Sequence, residues 1–495
     1  MSPVPQVVWF KRDLRLADHE PLVQAAGRGP VVGLYIYEPA VLRGEGWDPR
    51  HFAFVAQCLE ELAAGMRARG GRFAFRVGEA PQIFDQLLRE LGAFELWSHE
   101  ETGDLMTWAR DKAVKRLCRA RGIPWKELPP AGVFRSNPHR AGWAARMAHP
   151  PLAPPGGLSS VQVDEEGPRT LADLGLPTCT IDVQRGGEGA ARQTLRSFLD
   201  ERGEHYRRSM SSPLHGEEAC SRLSPHLAYG TLSTRTVHHR VLQELARRRH
   251  QPGIEGARFR EALISFSSRL RWRCHFMQKL EDEPGLEQHN ANRALDGMRP
   301  MEVTTSLQQH KLAAWQDGRT GVPFVDACMR SLAATGWLNF RMRAMLVSFA
   351  THHLWLPWRP VALHLARLFV DYEPGIHFPQ VQMQAGCTAN NTLRVYNPVK
   401  QGREQDPEAT FLRRWVPELA GLDAADAFAP WESPLTVASA GLRLDIDYPA
   451  PILDVQAAAR AARDRIAAAH KQPLAREAAQ LVQQRHGSRR RGWRR

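Results

Sequence analysis

The chain has no C-x-x-C pair; its seven cysteines stand singly at 58, 118, 179, 220, 274, 328 and 387. That spacing gives no local support for a zinc ribbon or a cysteine-ligated iron–sulfur cluster, and no metal is expected. Reduced, mostly buried thiols are the simpler expectation. No apolar run is long enough to span a bilayer, because charges interrupt each one. The opening MSPVPQVVWFKRDLRL lacks the apolar core of a secretory signal, so a cytoplasmic protein without membrane contact is expected. No G-x-G-x-x-G follows the first strand signal, so a Rossmann dinucleotide site lacks its phosphate loop. No internal repeat is present.

What is present is length, basic charge and tryptophan. The 495 residues exceed one ordinary domain, and a hydrophobic share of 43% is ample for sizeable cores. The formal charge of +13 favours polyanionic partners through phosphate attraction and counterion release. Part of that excess is local: Arg485 to Arg495 reads RHGSRRRGWRR, a run expected to stay disordered, either solvated or in nonspecific contact with DNA. Fourteen tryptophans are many for this length; most are expected in cores, and buried indoles are also available as electron carriers.

Strand and helix signals alternate at first. QVVWF (6–10), VVGLYIY (31–37), RFAFRV (72–77) and FELWSH (94–99) read as strands, with helical patterns near 51–69, 80–91 and 104–121. Such alternation implies βαβ units and a parallel sheet, with ligands beyond the strands' carboxyl ends. HPPLAPPGGLSS (149–160) and QRGGEGAAR (184–192) read as a long linker. Beyond 196 the patterns are helical, at 192–203, 232–248, 257–280, 323–335, 337–354 and 360–370.

Local residues narrow this. Trp9-Phe10-Lys11-Arg12-Asp13-Leu14-Arg15, then Asp18, resembles the W-F-R-x-D-L-R-x-x-D opening of the cryptochrome/photolyase family. Ser221-Arg222-Leu223-Ser224-Pro225-His226-Leu227 with Gly230 is similar to that family's flavin-phosphate segment. Trp315 to Gly321 leads into Pro323, Asp326 and Arg330; Thr335-Gly336-Trp337 precedes Arg341 and Arg343; Arg394 to Pro398 precedes Gln401 and Trp415 to Leu419. The matches keep family order across nearly the whole chain. The resemblance implies a Rossmann-like parallel α/β antenna domain over 1–130, a linker over 131–195, a larger all-α FAD-binding domain over 196–470 and a basic tail over 471–495.

Ser221 and Ser224 flank a predicted helix start, with Pro225 suited to its first turn. Hydroxyls and free N–H groups there suit a pyrophosphate. The resemblance gives Ser221, Arg222, Leu223 and Ser224 to FAD, with Cys220 where the family usually has Thr, and Tyr206 as the flavin-contacting tyrosine. It also places Arg343 near the flavin, paired with Asp371 in the segment that ends at Glu373, and turns Arg341 toward DNA phosphate. Two residues apart on a helix, these arginines point in different directions. On the 257–280 pattern Phe266, Arg269 and Arg273 share a face beside Trp272. The Trp272-Arg273 pair matches the family's W-R, in which the tryptophan stacks on damaged pyrimidines and the arginine approaches flavin or DNA backbone.

The chain departs from the repair pattern at several positions. Arg269 replaces a glutamate that accepts a hydrogen bond from the dimer, and arginine cannot accept one. Phe340 stands where the family has asparagine, unless Asn339 serves from a shifted position. In His377-Phe378-Pro379-Gln380-Val381-Gln382-Met383-Gln384, His377 aligns with the residue facing flavin N5, where it could donate a proton or stabilise charge. Val381 replaces the tryptophan nearest the flavin, and Met383 a lesion-stacking tryptophan. Valine cannot relay an electron, which leaves Trp358, Trp337 or Trp315 as alternatives. Met106-Thr107 replaces the Asn-Glu pair of folate-binding members near the end of the fourth strand signal, which speaks against a folate antenna and leaves deazaflavin or flavin open.

The expected function is a monomeric, blue-light-driven photolyase in which reduced FAD donates an electron to a pyrimidine dimer in UV-damaged DNA. Trp272, His377 and Trp358 are the catalytic candidates, and Arg269, Trp272, Arg341, Met383 and Arg394 face DNA. The alternative is a cryptochrome-like photoreceptor that binds FAD without repair. A basic nucleic-acid-binding module without catalysis is a third reading, opposed by the ordered FAD motifs.

Overall fold

In the computed structural model, residues 3–130, 132–135, 142–163, 167–250, 253–389 and 392–487 are described. They form two compact units that interleave along the chain. The first comprises Met1–Arg207, Ser221–Pro284 and Val370–Ile376; the second comprises Arg208–Cys220, Gly285–Phe369 and His377–Arg495.

The first unit is built on a five-stranded parallel sheet: β1 (Gln6–Phe10), β2 (Val31–Tyr37), β3 (Arg72–Val77), β4 (Glu95–His99) and β5 (Trp125–Leu128). Its order is β3-β2-β1-β4-β5, with Gln6 opposite Val31 on one side and Glu95 on the other. The strand order reverses between β1 and β4, which opens a crevice at their carboxyl ends. Alternation along β1 divides the core: Val8 and Phe10 join one buried cluster, Val7 and Trp9 the other. Such two-faced burial explains why β1 reads as an unbroken apolar run. The fifth strand escaped sequence reading because WKEL carries two charges and only four residues.

Helices cover the sheet. The Leu105–Arg121 helix starts where Asp104 accepts from the Thr107 N–H at 2.9 Å, and ends at Gly122 with φ 68°. Part of the expected linker packs here, with Leu158, Leu171 and Leu174 against the sheet core. This unit also holds the Glu188–Asp200 helix and the long Ile254–Asp282 helix.

The second unit is helical. Within it, buried Asp326 accepts from the Thr320 N–H and hydroxyl, the Gly321 N–H and the Tyr448 hydroxyl, at 2.6 to 3.0 Å. Gly321 has φ 73°, and a Cβ there would lie 2.1 Å from the Ala450 carbonyl oxygen, so only glycine fits. The helix expected over 337–354 is two elements: Phe340–Ser348, then a π turn over Phe349–His353. The expected tail from 471 is also corrected, because Pro473–His486 is a helix with Ala475, Val482 and His486 buried. Residues 488–495 of the basic run lie outside the described residues. No helix among the described residues is long and apolar enough to cross a membrane.

Candidate functional site

In the first unit two sequence motifs meet. The Arg12 Nε–H donates to the Ala228 carbonyl at 3.1 Å, the Leu14 N–H to Tyr229 at 3.0 Å, and Arg15 Nη1 to Gly230 at 3.0 Å. Gly230 has φ 66°, and a Cβ would lie 2.3 Å from the Arg12 carbonyl oxygen. The opening motif therefore clamps the backbone just after the 221–227 segment. Sequence reading registered both motifs without seeing that one holds the other.

At the carboxyl ends of β1 and β4, Asp13 Oδ2 lies 2.8 Å from His19 Nε2 and 2.7 Å from His99 Nδ1. Burial opposes the Asp13 charge, but the two histidines hold this carboxyl well below its usual range. Burial, then neighbouring His19, pushes His99 down to about 3, so its ring is neutral at physiological pH. The three ligating atoms lie within 4.8 Å of one another. The proton arrangement does not suit a metal. His19 Nδ1 accepts from the Leu22 N–H at 3.1 Å, so the neutral ring carries its proton on Nε2 and donates it to Asp13.

Two cavities adjoin this edge. One, of about 120 Å³, is walled by aromatic rings including Tyr35, Trp47, Phe52 and Tyr372, with Glu38 and Arg110 also in its wall. Gly103 and Thr107 line it too, while Met106 is 37% exposed and is not part of the wall. The other, of about 90 Å³, is lined by Asp13, His99, Arg273 and Glu373 among others.

The expected helix start at the phosphate segment exists as Ser224–Ala228, with Pro225 in its first turn. Neither serine caps it in the expected way; instead Ser221 Oγ accepts from the Leu223 N–H at 3.4 Å, and Arg222 adopts φ 58°. Arg202 Nη2 donates to the Ser221 carbonyl at 3.4 Å, adding a cation that sequence reading missed. The hydroxyls of Ser221 and Ser224 and the guanidinium groups of Arg202 and Arg222 are of the donor types that a pyrophosphate takes. Leu223 is fully buried. Tyr206 and Phe266 pack edge to face at 5.9 Å, each also against Phe198.

On the Ile254–Asp282 helix, Trp272 is 45% exposed and Arg269 is exposed. Arg273 turns inward: its Nη2 donates to the Leu227 carbonyl at 2.7 Å and pairs with Glu373 at 3.1 Å. Burial raises the Glu373 pKa, with Arg12 and Arg273 offsetting it. Asp371 is buried in this same unit.

The second unit holds Cys220, Arg341, Arg343, Trp358, His377, Met383 and Arg394. Arg343 donates to the Leu338 carbonyl at 2.7 Å, with its guanidinium 4.0 Å from the Phe369 ring centroid. Arg341 is half-buried and donates to Gln401 Oε1 at 3.3 Å, while its Nε is buried without a partner among the described residues. Asn339 is buried, its Nδ2 donating to the Met210 carbonyl at 3.0 Å, whereas Phe340 is 53% exposed. His377 Nε2 lies 2.8 Å from the Ala362 carbonyl. A carbonyl only accepts, so the neutral ring carries its proton on Nε2 and leaves Nδ1 as an acceptor nitrogen. The neutral ring therefore has no second N–H to give, which restricts the proton-donor role to the imidazolium. Met383 is half-buried and Arg394 exposed.

Comparison with known proteins accords with this architecture. Residues 6–137 match DNA photolyase, and residues 266–468 match the FAD binding domain of DNA photolyase. A deoxyribodipyrimidine photo-lyase of Streptomyces griseus is 33% identical over 489 residues, covering 93% of this chain and 98% of its own. A cryptochrome DASH of Gloeobacter violaceus is 27% identical over 489 residues, covering 92% of this chain and 94% of its own. The crystal structure of a bacterial class III photolyase from Agrobacterium tumefaciens gives a TM-score of 0.82 at 28% identity, covering 95% of this chain and 99% of that one. A parallel α/β sheet together with a helical FAD-binding domain defines the class of flavoprotein. The chain belongs to the cryptochrome/photolyase family.

Proposed function

We propose that the protein is a DNA photolyase that splits pyrimidine dimers under blue light. The observation that carries this reading is the exposed indole of Trp272 on a helix that also exposes Arg269. A large aromatic face held open to solvent offers a stacking platform for extruded bases, and the neighbouring cation offers a phosphate contact. The photo-lyases among the relatives support the reading. Reduced FAD, when bound, supplies light absorption and a one-electron donor. Ser221, Ser224, Arg202 and Arg222 would hold its pyrophosphate, with Tyr206, Cys220, Leu223, Phe266, Arg273, Arg343, Asp371, Glu373 and His377 as the other cofactor residues. Arg341, Met383 and Arg394 are assigned to DNA, contacts that position the duplex without reading sequence. The aromatic-walled cavity of the first unit would take a second chromophore, a flavin or deazaflavin.

The second reading, a photoreceptor without repair, rests on Arg269, Phe340, Val381 and Met383, each a departure from the repair pattern. The two separate on a defined dimer oligonucleotide illuminated with chemically reduced protein, since pre-reduction bypasses the missing tryptophan at 381. Restoration of monomeric pyrimidines is the expected result. Absence of repair on both cyclobutane and six-four lesions would overturn the first reading in favour of the second.

A further inference from the structure

The aromatic-walled cavity has one polar feature that its protein surroundings leave incomplete. Glu38 is 6% exposed and lines the space. Its Oε1 accepts from Arg110 Nη1 at 2.9 Å, but its Oε2 is buried with no hydrogen-bond partner among the described residues. Arg110 cannot turn to serve it. Its Nε–H is spent on Asp111 at 3.0 Å, its Nη2 on Glu101 at 2.5 Å, and its plane lies 4.8 Å from the Trp9 ring centroid. Lys11 is likewise engaged, 3.3 Å from Asp111 and 3.8 Å from Glu101. Three carboxylates thus share two cations. Burial accordingly raises the Glu38 pKa to about 7, with Arg110 only partly offsetting it. A buried acceptor without a donor is costly unless a ligand supplies one.

We propose that Glu38 is the specificity-determining residue of this cavity, its Oε2 accepting from the ring N–H of a planar heteroaromatic that carries an imide edge. This rests on the reading of the cavity as a chromophore site. The aromatic rings give the ligand its faces, and Glu38 sets which edge enters first. An edge that presents only acceptors, or a negative charge, meets a wall already rich in carboxylate and is rejected. Glu38→Gln removes the preference. Arg110 draws the amide oxygen to itself, which leaves the amide NH2 facing the ligand as a donor where an acceptor stood.

The test titrates the full, FAD-loaded chain with lumiflavin and with 3-methyllumiflavin, whose imide N–H is replaced by a methyl group, following quenching of ligand fluorescence at pH 8. The native protein is expected to favour lumiflavin by about tenfold or more, the worth of one charge-assisted hydrogen bond. Glu38→Gln is expected to lose that preference. Equal affinity of the native protein for both ligands overturns the role of Glu38 and leaves the cavity reading standing. Binding of neither ligand overturns the cavity reading and this inference together. A preference that persists in Glu38→Gln places the recognition on another residue and overturns the proposal.

Discussion

The Trp358 indole N–H donates to Asn290 Oδ1 at 2.8 Å, and both side chains are buried in the second unit. Removing the acceptor would strand a buried donor. Asn290→Ala is expected to lower stability by about 1–3 kcal/mol, read from urea unfolding. An unchanged midpoint would mean that water reaches this indole. Trp358→Phe tests the relay role: it is expected to slow photoreduction and, because it strands the buried Asn290 acceptor, to cost about 1–3 kcal/mol as well, so the rates are compared where both proteins are folded.

Exposed Trp272 separates function from packing. Trp272→Ala should cost about 0.5–1.5 kcal/mol of stability, the worth of the tilted contact of its half-exposed ring with Phe276 at 5.8 Å. Its effect should fall on DNA: affinity for a dimer-containing oligonucleotide drops by about 1–3 kcal/mol, the worth of one base–aromatic stack, measured by fluorescence anisotropy. Equal affinities in the two proteins would remove Trp272 from the lesion contact.

The Arg273–Glu373 pair is asymmetric. Glu373 is the more deeply buried member, and burial already raises its pKa. Arg273→Ala leaves that carboxylate to Arg12 and is expected to destabilise by about 3 kcal/mol at neutral pH. Glu373→Gln, which removes the buried charge itself, should cost less. Thermal melts of both variants decide this, and the reverse order would count against the buried carboxylate as the dominant liability.

Acid should destabilise the fold. Burial depresses His99 and His352 to about 3, and His226 and His353 to about 4. Their unfolded values lie near 6.5, so below that pH the unfolded chain binds more protons and stability falls, by up to about 1.4 kcal/mol per pH unit for each group. Glu38 and Asp326, raised by burial to about 7 and about 6, oppose this, since the folded state takes up their protons first. Comparing His353→Phe with the native protein isolates one histidine. Its ring stacks on Phe349 at 5.0 Å and is 4% exposed. The variant should show a shallower fall in unfolding free energy between pH 6.5 and 4, and identical slopes would exclude His353 as a proton acceptor.

Val381 is 4% exposed. Val381→Trp should therefore cost about 1–3 kcal/mol through overpacking. If the folded variant also photoreduces faster than the native protein, the missing relay belongs at 381; an unchanged rate would move it elsewhere.

The strands were legible because two-faced burial demands consecutive apolar residues, as in Val7-Val8-Trp9-Phe10, and the FAD motifs were legible because family residues recur in order. Other features depended on through-space partners. WKEL gives no strand signal until β4 pairs with it, since hydrogen bonds to a neighbour rather than side-chain burial make it a strand. The neutral tautomer of His377 is open in the sequence until the Ala362 carbonyl, fifteen residues away, takes its Nε2–H. Asp13, His19 and His99 read as unrelated residues until β1 and β4 lie side by side, and only the Leu22 N–H shows that they hold protons rather than a metal. The sequence by itself determined the family, the parallel sheet and the FAD-binding character, because these rest on local pattern and ordered motifs. Tertiary structure alone decided which motif clamps which, which ring nitrogen carries a proton, and that Glu38 keeps a buried acceptor open, because each depends on contacts between residues far apart in the chain.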